Sequence, residues 1–194
     1  LIIIMLRHTQ TLLCLANCYG HPAEMREELE MKAQVLKEIS LVENRPLELM
    51  DLPIPQLSSR QILVKVSACG VCHTELDEIE GRVQPRLPIV LGHEIVGKVE
   101  ALGPGANKFS IGDRVGVAWI HSACGKCRFC QEGNENLCAE FEGTGCQADG
   151  GYAQYTVVSE DFAYWIPGRF TDSQVAPLLC AGNIGFRDLR LSGI

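Results

Sequence analysis

Four cysteines lie close together in HSACGKCRFCQEGNENLC: Cys124, Cys127, Cys130 and Cys138, spaced C-x2-C-x2-C-x7-C. A tetrahedral zinc needs four soft ligands converging at ~2.3 Å, and short C-x2-C turns deliver adjacent thiolates while the longer loop returns the fourth. Four thiolates on one Zn(II) leave a net negative charge that the neighbouring Lys126 and Arg128 can offset. With every position filled by protein, water has no place to bind, so such a site is structural. Two disulfides, or an iron-sulfur cluster, which also takes four thiolates, are the competing readings. A zinc ribbon that binds nucleic acid would bring basic residues around its knuckles. This loop carries Glu132 and Glu135 instead.

Three further residues have metal-ligating chemistry: Cys72 in CGVCHTE, His93 in LGHEIVG and Cys180 in APLLCAG. Their spacing is long and irregular, and it does not define a site. A lone cysteine is most often a small buried hydrophobe. A bare phosphate-cradle pattern also occurs, with Gly143, Gly145 and Ala148 in place. The preceding CAEFE is no buried apolar strand, and Asp149-Gly150-Gly151 would break the helix whose N-terminus must face a pyrophosphate. The stretch reads as a turn.

The elements that must carry these residues are mostly strands. QILVKVSA, IVGKVEAL, DRVGVAWI and YAQYTVVS are short, rich in Val, Ile and Tyr, and punctuated by Gly and Pro. The fold class expected is mainly β with short helices: a partly open antiparallel barrel with long loops that hold the metal ligands. From Asp172 to Leu191 the apolar residues Val175, Leu178, Leu179, Ile184, Phe186 and Leu189 suggest one or two helical pieces.

Residues 1–30, with the acidic stretch AEMREELE, look foreign to the strand-rich sequence beyond them and read as an N-terminal extension, the alternative being a helix packed on the domain. At 194 residues and 46% hydrophobic, the chain can bury one real core but not two full domains. The net charge of -7 and the lack of a dense Lys/Arg run argue against nucleic acid as a partner. The opening LIIIML stays apolar for six residues before Arg7 and His8. That falls far short of the ~20 needed to span a bilayer. No signal peptide is clear, so the ten cysteines are expected in a cytoplasmic protein, where they bind metal in preference to forming disulfides.

Taken in order, CGVCHTE, GHEIVGKVEALGPGA, the four-cysteine loop, DGGYAQY and APLLCAG resemble the zinc-dependent medium-chain alcohol dehydrogenase family, from Met31 to about Gly193. The resemblance implies a GroES-like barrel with a zinc-binding lobe over 31–170. Residues 171–194 would begin the linker helices to a Rossmann domain beyond the chain. It implies oxidation of a primary or secondary alcohol to an aldehyde or ketone by hydride transfer to NAD or NADP, with two zincs, and a homo-oligomeric full-length enzyme. The 194 residues alone would be inactive.

Carried over by position, Cys72, His93 and Cys180 match the catalytic zinc ligands, two thiolates and an imidazole that leave a fourth position open, as in the alcohol dehydrogenase set that general zinc chemistry describes. Thr74 matches the hydroxyl that takes the alcohol proton, and His73 the basic position near the cofactor phosphates. Glu75, where many relatives have Asp, would orient the ligating His93, and Glu94 resembles the carboxylate near the zinc. Trp119 would line the alcohol pocket. Asp77 departs from the His of several relatives, which puts the outer proton relay in doubt. Cys14, Cys18, Cys69 and Cys146 match no ligand position and read as free thiols. A non-enzymatic, zinc-stapled GroES-like interaction module is the alternative from another class.

Overall fold

The computed structural model describes residues 30–193. The expectations for the N-terminal extension, Cys14 and Cys18 lie outside the described residues. The chain opens with strands β1, Glu30–Leu36, and β2, Leu47–Pro53, then β3, Gln61–Cys69, and the short helix α1, His73–Ile79. β4, Ile89–Val90, and β5, Ile95–Leu102, come next, then β6, Arg114–Val117, and β7, Ile120–Ser122. A loop with the small helix α2, Arg128–Gln131, returns to β8, Glu142–Gly143, before β9, Tyr155–Ser159, and β10, Ala163–Trp165. Helices α3, Asp172–Val175, and α4, Ala181–Ser192, close the chain.

A curled five-stranded antiparallel sheet, in the order β10-β6-β5-β3-β9, forms the half-barrel, and a three-stranded sheet, β2-β1-β4, joins it. The architecture is the mainly β, GroES-like one. Period-two alternation decides which face closes on the core: on β3, Ile62, Val64 and Val66 are buried while Ser67 is exposed. Facing residues Leu36, Leu91, Ile95, Val115 and Val158 complete the core. Each such side chain contributes about 1.5–3 kcal/mol when removed from water. The two sheets are tied by the Ala33–Ala153 bridge and by Gln34 N–H donating to the Tyr152 carbonyl at 2.8 Å. No described helix is long and apolar enough to cross a membrane.

One buried charge fastens the loops at the end of β3 opposite Cys72. Glu160 is fully buried, and its Oε2 accepts from the backbone N–H groups of Asn107 and Lys108, both at 2.7 Å. Its Oε1 lies 3.1 Å from Arg60 Nη2. Burial pushes the carboxyl up, but the two N–H groups and Arg60 outweigh that and hold it below the usual range. A depressed pKa contributes stability that is present above the ordinary carboxylate pKa and is lost as pH falls through the folded-state value. Glu160→Gln is therefore expected to cost on the order of 2 kcal/mol near neutral pH, the scale of hydrogen bonds to a charged group. In urea unfolding the gap to wild type should close as the medium is made more acidic than about pH 4. A variant as stable as wild type at neutral pH would contradict this role.

Candidate functional site

Cys72 sits at the start of α1, where extended backbone dihedrals turn the chain into the helix. Glu75, three residues on, reaches back so that its Oε2 accepts from Cys72 N–H at 2.7 Å. The same carboxylate approaches His93: Oε1 is 2.6 Å from Nδ1. His93 occupies the loop between β4 and β5 and is 1% exposed. The DGGYAQY segment holds that loop in place. Gly150 N–H donates to the Val90 carbonyl at 2.7 Å, Tyr152 N–H to the Leu91 carbonyl at 2.9 Å, and Gly151 N–H to the Gly92 carbonyl at 2.8 Å. Tyr152 also donates its hydroxyl to the Gly70 carbonyl at 3.3 Å, so one segment supports both loops.

Cys180, at the N-cap of α4, comes up beside Cys72 with a sulfur-sulfur separation of 3.6 Å. The ligand atoms of Cys72, His93 and Cys180 all lie within 4.8 Å of one another. His93 Nε2 is buried without a hydrogen-bond partner. Two thiols and an unsatisfied ring nitrogen facing one point fit a cation, since 2.3 Å bonds at tetrahedral angles put sulfurs about 3.8 Å apart. With Nδ1 against Glu75, Nε2 is the nitrogen free to ligate.

The electrostatics agree with the geometry. His93 lowers the Cys72 thiol to about 6, against the opposing effect of burial. Burial disfavours a charged His93, yet Cys180, Cys72 and Glu75 outweigh it and pull the imidazole upward. The cluster thus favours positive charge at its centre, whether a proton or a metal ion supplies it. Burial, and then the charge on Cys72, push Glu94 up to about 7, and its Oε2 has no partner.

Around this centre, Trp119 stands edge-on to the His93 ring, with centroids 5.0 Å apart, and Phe141 lies beyond it at 6.2 Å from Trp119. Thr74 Oγ1 is 3.6 Å from Cys72 Sγ. His73 points outward with its side chain 76% exposed, its Nε2 3.6 Å from Asp77 Oδ1. Asp77 is engaged by Arg82, which also pairs with Glu80. Sequence reasoning missed Glu78, a fully buried acid on α1 raised to about 8, first by burial and then by Glu75. Its spacing of three from Glu75 was the available signal, because residues three apart share a helix face.

The four-cysteine lobe is built differently. Cys124 and Cys130 sulfurs are 3.9 Å apart, Cys127 and Cys130 sulfurs 3.6 Å, and all four lie within 4.8 Å of one another. A disulfide requires about 2.05 Å, so none of these pairs is bonded. The space suits one ion and is too tight for several irons. Backbone N–H groups point at the sulfurs: Cys127 to Cys124 at 3.4 Å, and Cys124 and Glu140 to Cys138 at 3.5 and 3.3 Å. They compensate thiolate charge, as the N–H groups of Lys126 and Cys127 lower Cys124 to about 6. Arg128 lies over the Phe129 ring. Cys69 and Cys146 are buried free thiols apart from both clusters. The Gly143–Ala148 stretch is a turn, closed by Gly145 N–H donating to the Ala148 carbonyl at 2.7 Å, and no helix comes directly after it.

Comparison with known proteins gives a consistent picture. The alcohol dehydrogenase GroES-like domain family matches residues 58–168. An alcohol dehydrogenase of Geobacillus stearothermophilus is 39% identical over 165 residues, covering 84% of this chain and 48% of the relative. Among solved structures, a cinnamyl alcohol dehydrogenase from Sorghum bicolor superposes with a TM-score of 0.76 at 29% identity, over 85% of this chain and 48% of that one. The CAD of Helicobacter pylori complexed with NADP(H) gives 0.77 at 27%, over 86% and 50%. The chain spans about half the length of the curated relatives it matches.

The glycine before His93 is a sensitive test of how the loop is placed. Gly92 has φ +100, and a Cβ there would lie 2.6 Å from Tyr152 Cδ1 and 2.9 Å from Cys69 Sγ. Gly92→Ala combines left-handed strain with overpacking, and a loss of about 2–4 kcal/mol in urea unfolding is expected. An unchanged unfolding midpoint would show that the loop yields easily.

Proposed function

The chain belongs to the alcohol dehydrogenase family through its GroES-like domain, and we propose that it carries the zinc-holding part of an enzyme converting a primary or secondary alcohol to an aldehyde or ketone with NAD or NADP. The observation that carries this reading is the contrast between two donor sets: a closed one of four sulfurs, and an open one of three in which His93 Nε2 is buried without a partner. A closed set suits a structural metal, and an open set leaves room for a reacting molecule. A module that only bound partners would need the first and not the second.

Cys72, His93 and Cys180 would hold the catalytic zinc, and Cys124, Cys127, Cys130 and Cys138 the structural one. When bound, the zinc would polarise the oxygen of a small alcohol or aldehyde, and NAD or NADP would exchange hydride with its carbon. The residues of this chain do the rest. Glu75 holds the His93 ring so that Nε2 faces the sulfurs. Thr74, whose Oγ1 is 3.6 Å from Cys72 Sγ, would receive the hydroxyl proton. Trp119, edge-on to the His93 ring and backed by Phe141, would line the alcohol pocket. His73, facing outward, suits the phosphates of a cofactor held beyond the barrel. Asp77 is committed to Arg82, so protons leaving Thr74 do not pass through a histidine at that position. Residues 31–170 form the GroES-like unit in this reading, and 171–194 begin the linker helices, whose first turns pack back on the barrel.

The described residues include no parallel dinucleotide-binding sheet, and the 194-residue chain by itself is expected to produce no NADH or NADPH from alcohols. The metal sites can be tested directly. Cobalt-loaded chain should hold two ions. Added imidazole should shift the ligand-field spectrum of one, abolished by Cys72→Ser, while the other is lost with folding in Cys127→Ser, because metal binding there is part of the folding free energy. A spectrum indifferent to imidazole would refute the open site.

A further inference from the structure

Of the three open-site ligands, Cys180 lies farthest along the chain from the strands, yet its sulfur is placed 3.6 Å from that of Cys72. The chain leading to it is fastened to the sheet by one arginine. Arg114, on β6, donates from Nη1 to the Pro167 carbonyl and from Nη2 to the Phe170 carbonyl, both at 2.9 Å. Its Nε donates to Asp172 Oδ1 at 2.7 Å, and Nη2 lies 2.5 Å from the same oxygen. The other carboxylate oxygen of Asp172 is 2.5 Å from Ser67 Oγ on β3, which is also 3.0 Å from the Val96 carbonyl on β5. Three strands are thereby joined to the first residue of α3.

The segment then packs down. Val175 and Ala176 bury against Val96, and Leu179 fills the space over Gly116, where a Cβ would meet its Cδ2 at 3.0 Å. Ile184 N–H donates to the Cys180 carbonyl at 3.0 Å, so α4 starts from the cysteine itself. From the clamp to the ligand the backbone runs through a short helix and a tight turn with little slack.

We infer that Arg114 and Asp172 are positioning residues for Cys180: their ion pair, anchored by Ser67, sets the third ligand against Cys72 and His93 from within the barrel. The planar guanidinium fork suits this task, because it bonds a carboxylate and two carbonyls in one fixed geometry. The metal side of the inference rests on the zinc reading above. The placement of the two sulfurs does not.

The test uses the 194-residue chain with metal kept in the four-cysteine lobe, comparing wild type with Asp172→Asn, Arg114→Met and the milder Arg114→Lys. The first readout needs no metal in the open site. Diamide takes two electrons and two protons from a thiol pair, forming the Cys72–Cys180 disulfide while being reduced to its hydrazine, and peptide mapping tracks the product. Wild type should cross-link readily, Asp172→Asn and Arg114→Met at least tenfold more slowly, and Arg114→Lys in between. The second readout is cobalt affinity, expected to fall about 10- to 100-fold at the open site, as when residues behind metal ligands are removed, with the four-cysteine lobe unchanged. Equal cross-linking rates in all four proteins would overturn the inference. So would loss of both metals together in the variants, which would mean that the clamp holds the fold and not the ligand. A wild type that cross-links faster than the variants yet binds no second cobalt would uphold the positioning and refute the zinc reading.

Discussion

The His93 imidazole is the point on which the rest of the site turns. It is removed from water, with a carboxylate against one nitrogen and two thiols facing the other. Burying an imidazole in this way is unfavourable unless its polar atoms are satisfied. Glu75 deals with Nδ1, and only a proton shared with the thiols or a metal ion deals with Nε2. Moving the loop would expose the imbalance, so much of the surrounding structure serves to keep it still.

The barrel does this by converging three distant stretches of chain. β3 delivers the loop with Cys72, β4 and β5 bracket His93, and β6 grips the segment that ends at Cys180. The DGGY backbone laces the first two together. Each attachment uses main-chain hydrogen bonds or a half-buried ion pair, which fix distance and direction where apolar contact alone would not. The four-cysteine lobe stands apart on β7 and β8, with its own N–H donors, so the two donor sets are built independently.

Strands were legible in the sequence where alternation was strong. QILVKVSA became β3 and IVGKVEAL became β5, almost residue for residue, and the C-terminal apolar residues fell in α3, in α4 and in the 3-10 turn between them, Ala176–Leu179. The convergence of the four cysteine sulfurs was legible from spacing because they are close in the chain. The open site was not, since Cys72, His93 and Cys180 meet only through sheet topology, and its recognition rested on resemblance to a family. Glu78 and the Arg114–Asp172 clamp went unseen for related reasons. In HTELDEIE the spacing of three puts Glu75 and Glu78 on one helix face without saying that this face turns inward, and an arginine in DRVGV gives no sign of a partner 58 positions away.

The proposed function requires one chain to hold two zincs of different kinds, one enclosed by sulfur and one with a histidine and an open position. X-ray absorption at the zinc edge on fully loaded chain addresses it most directly. Six cysteines and one histidine shared by two ions predict an average first shell of three sulfurs and half an imidazole per zinc, completed by light atoms. An average of four sulfurs with no imidazole would contradict the open site.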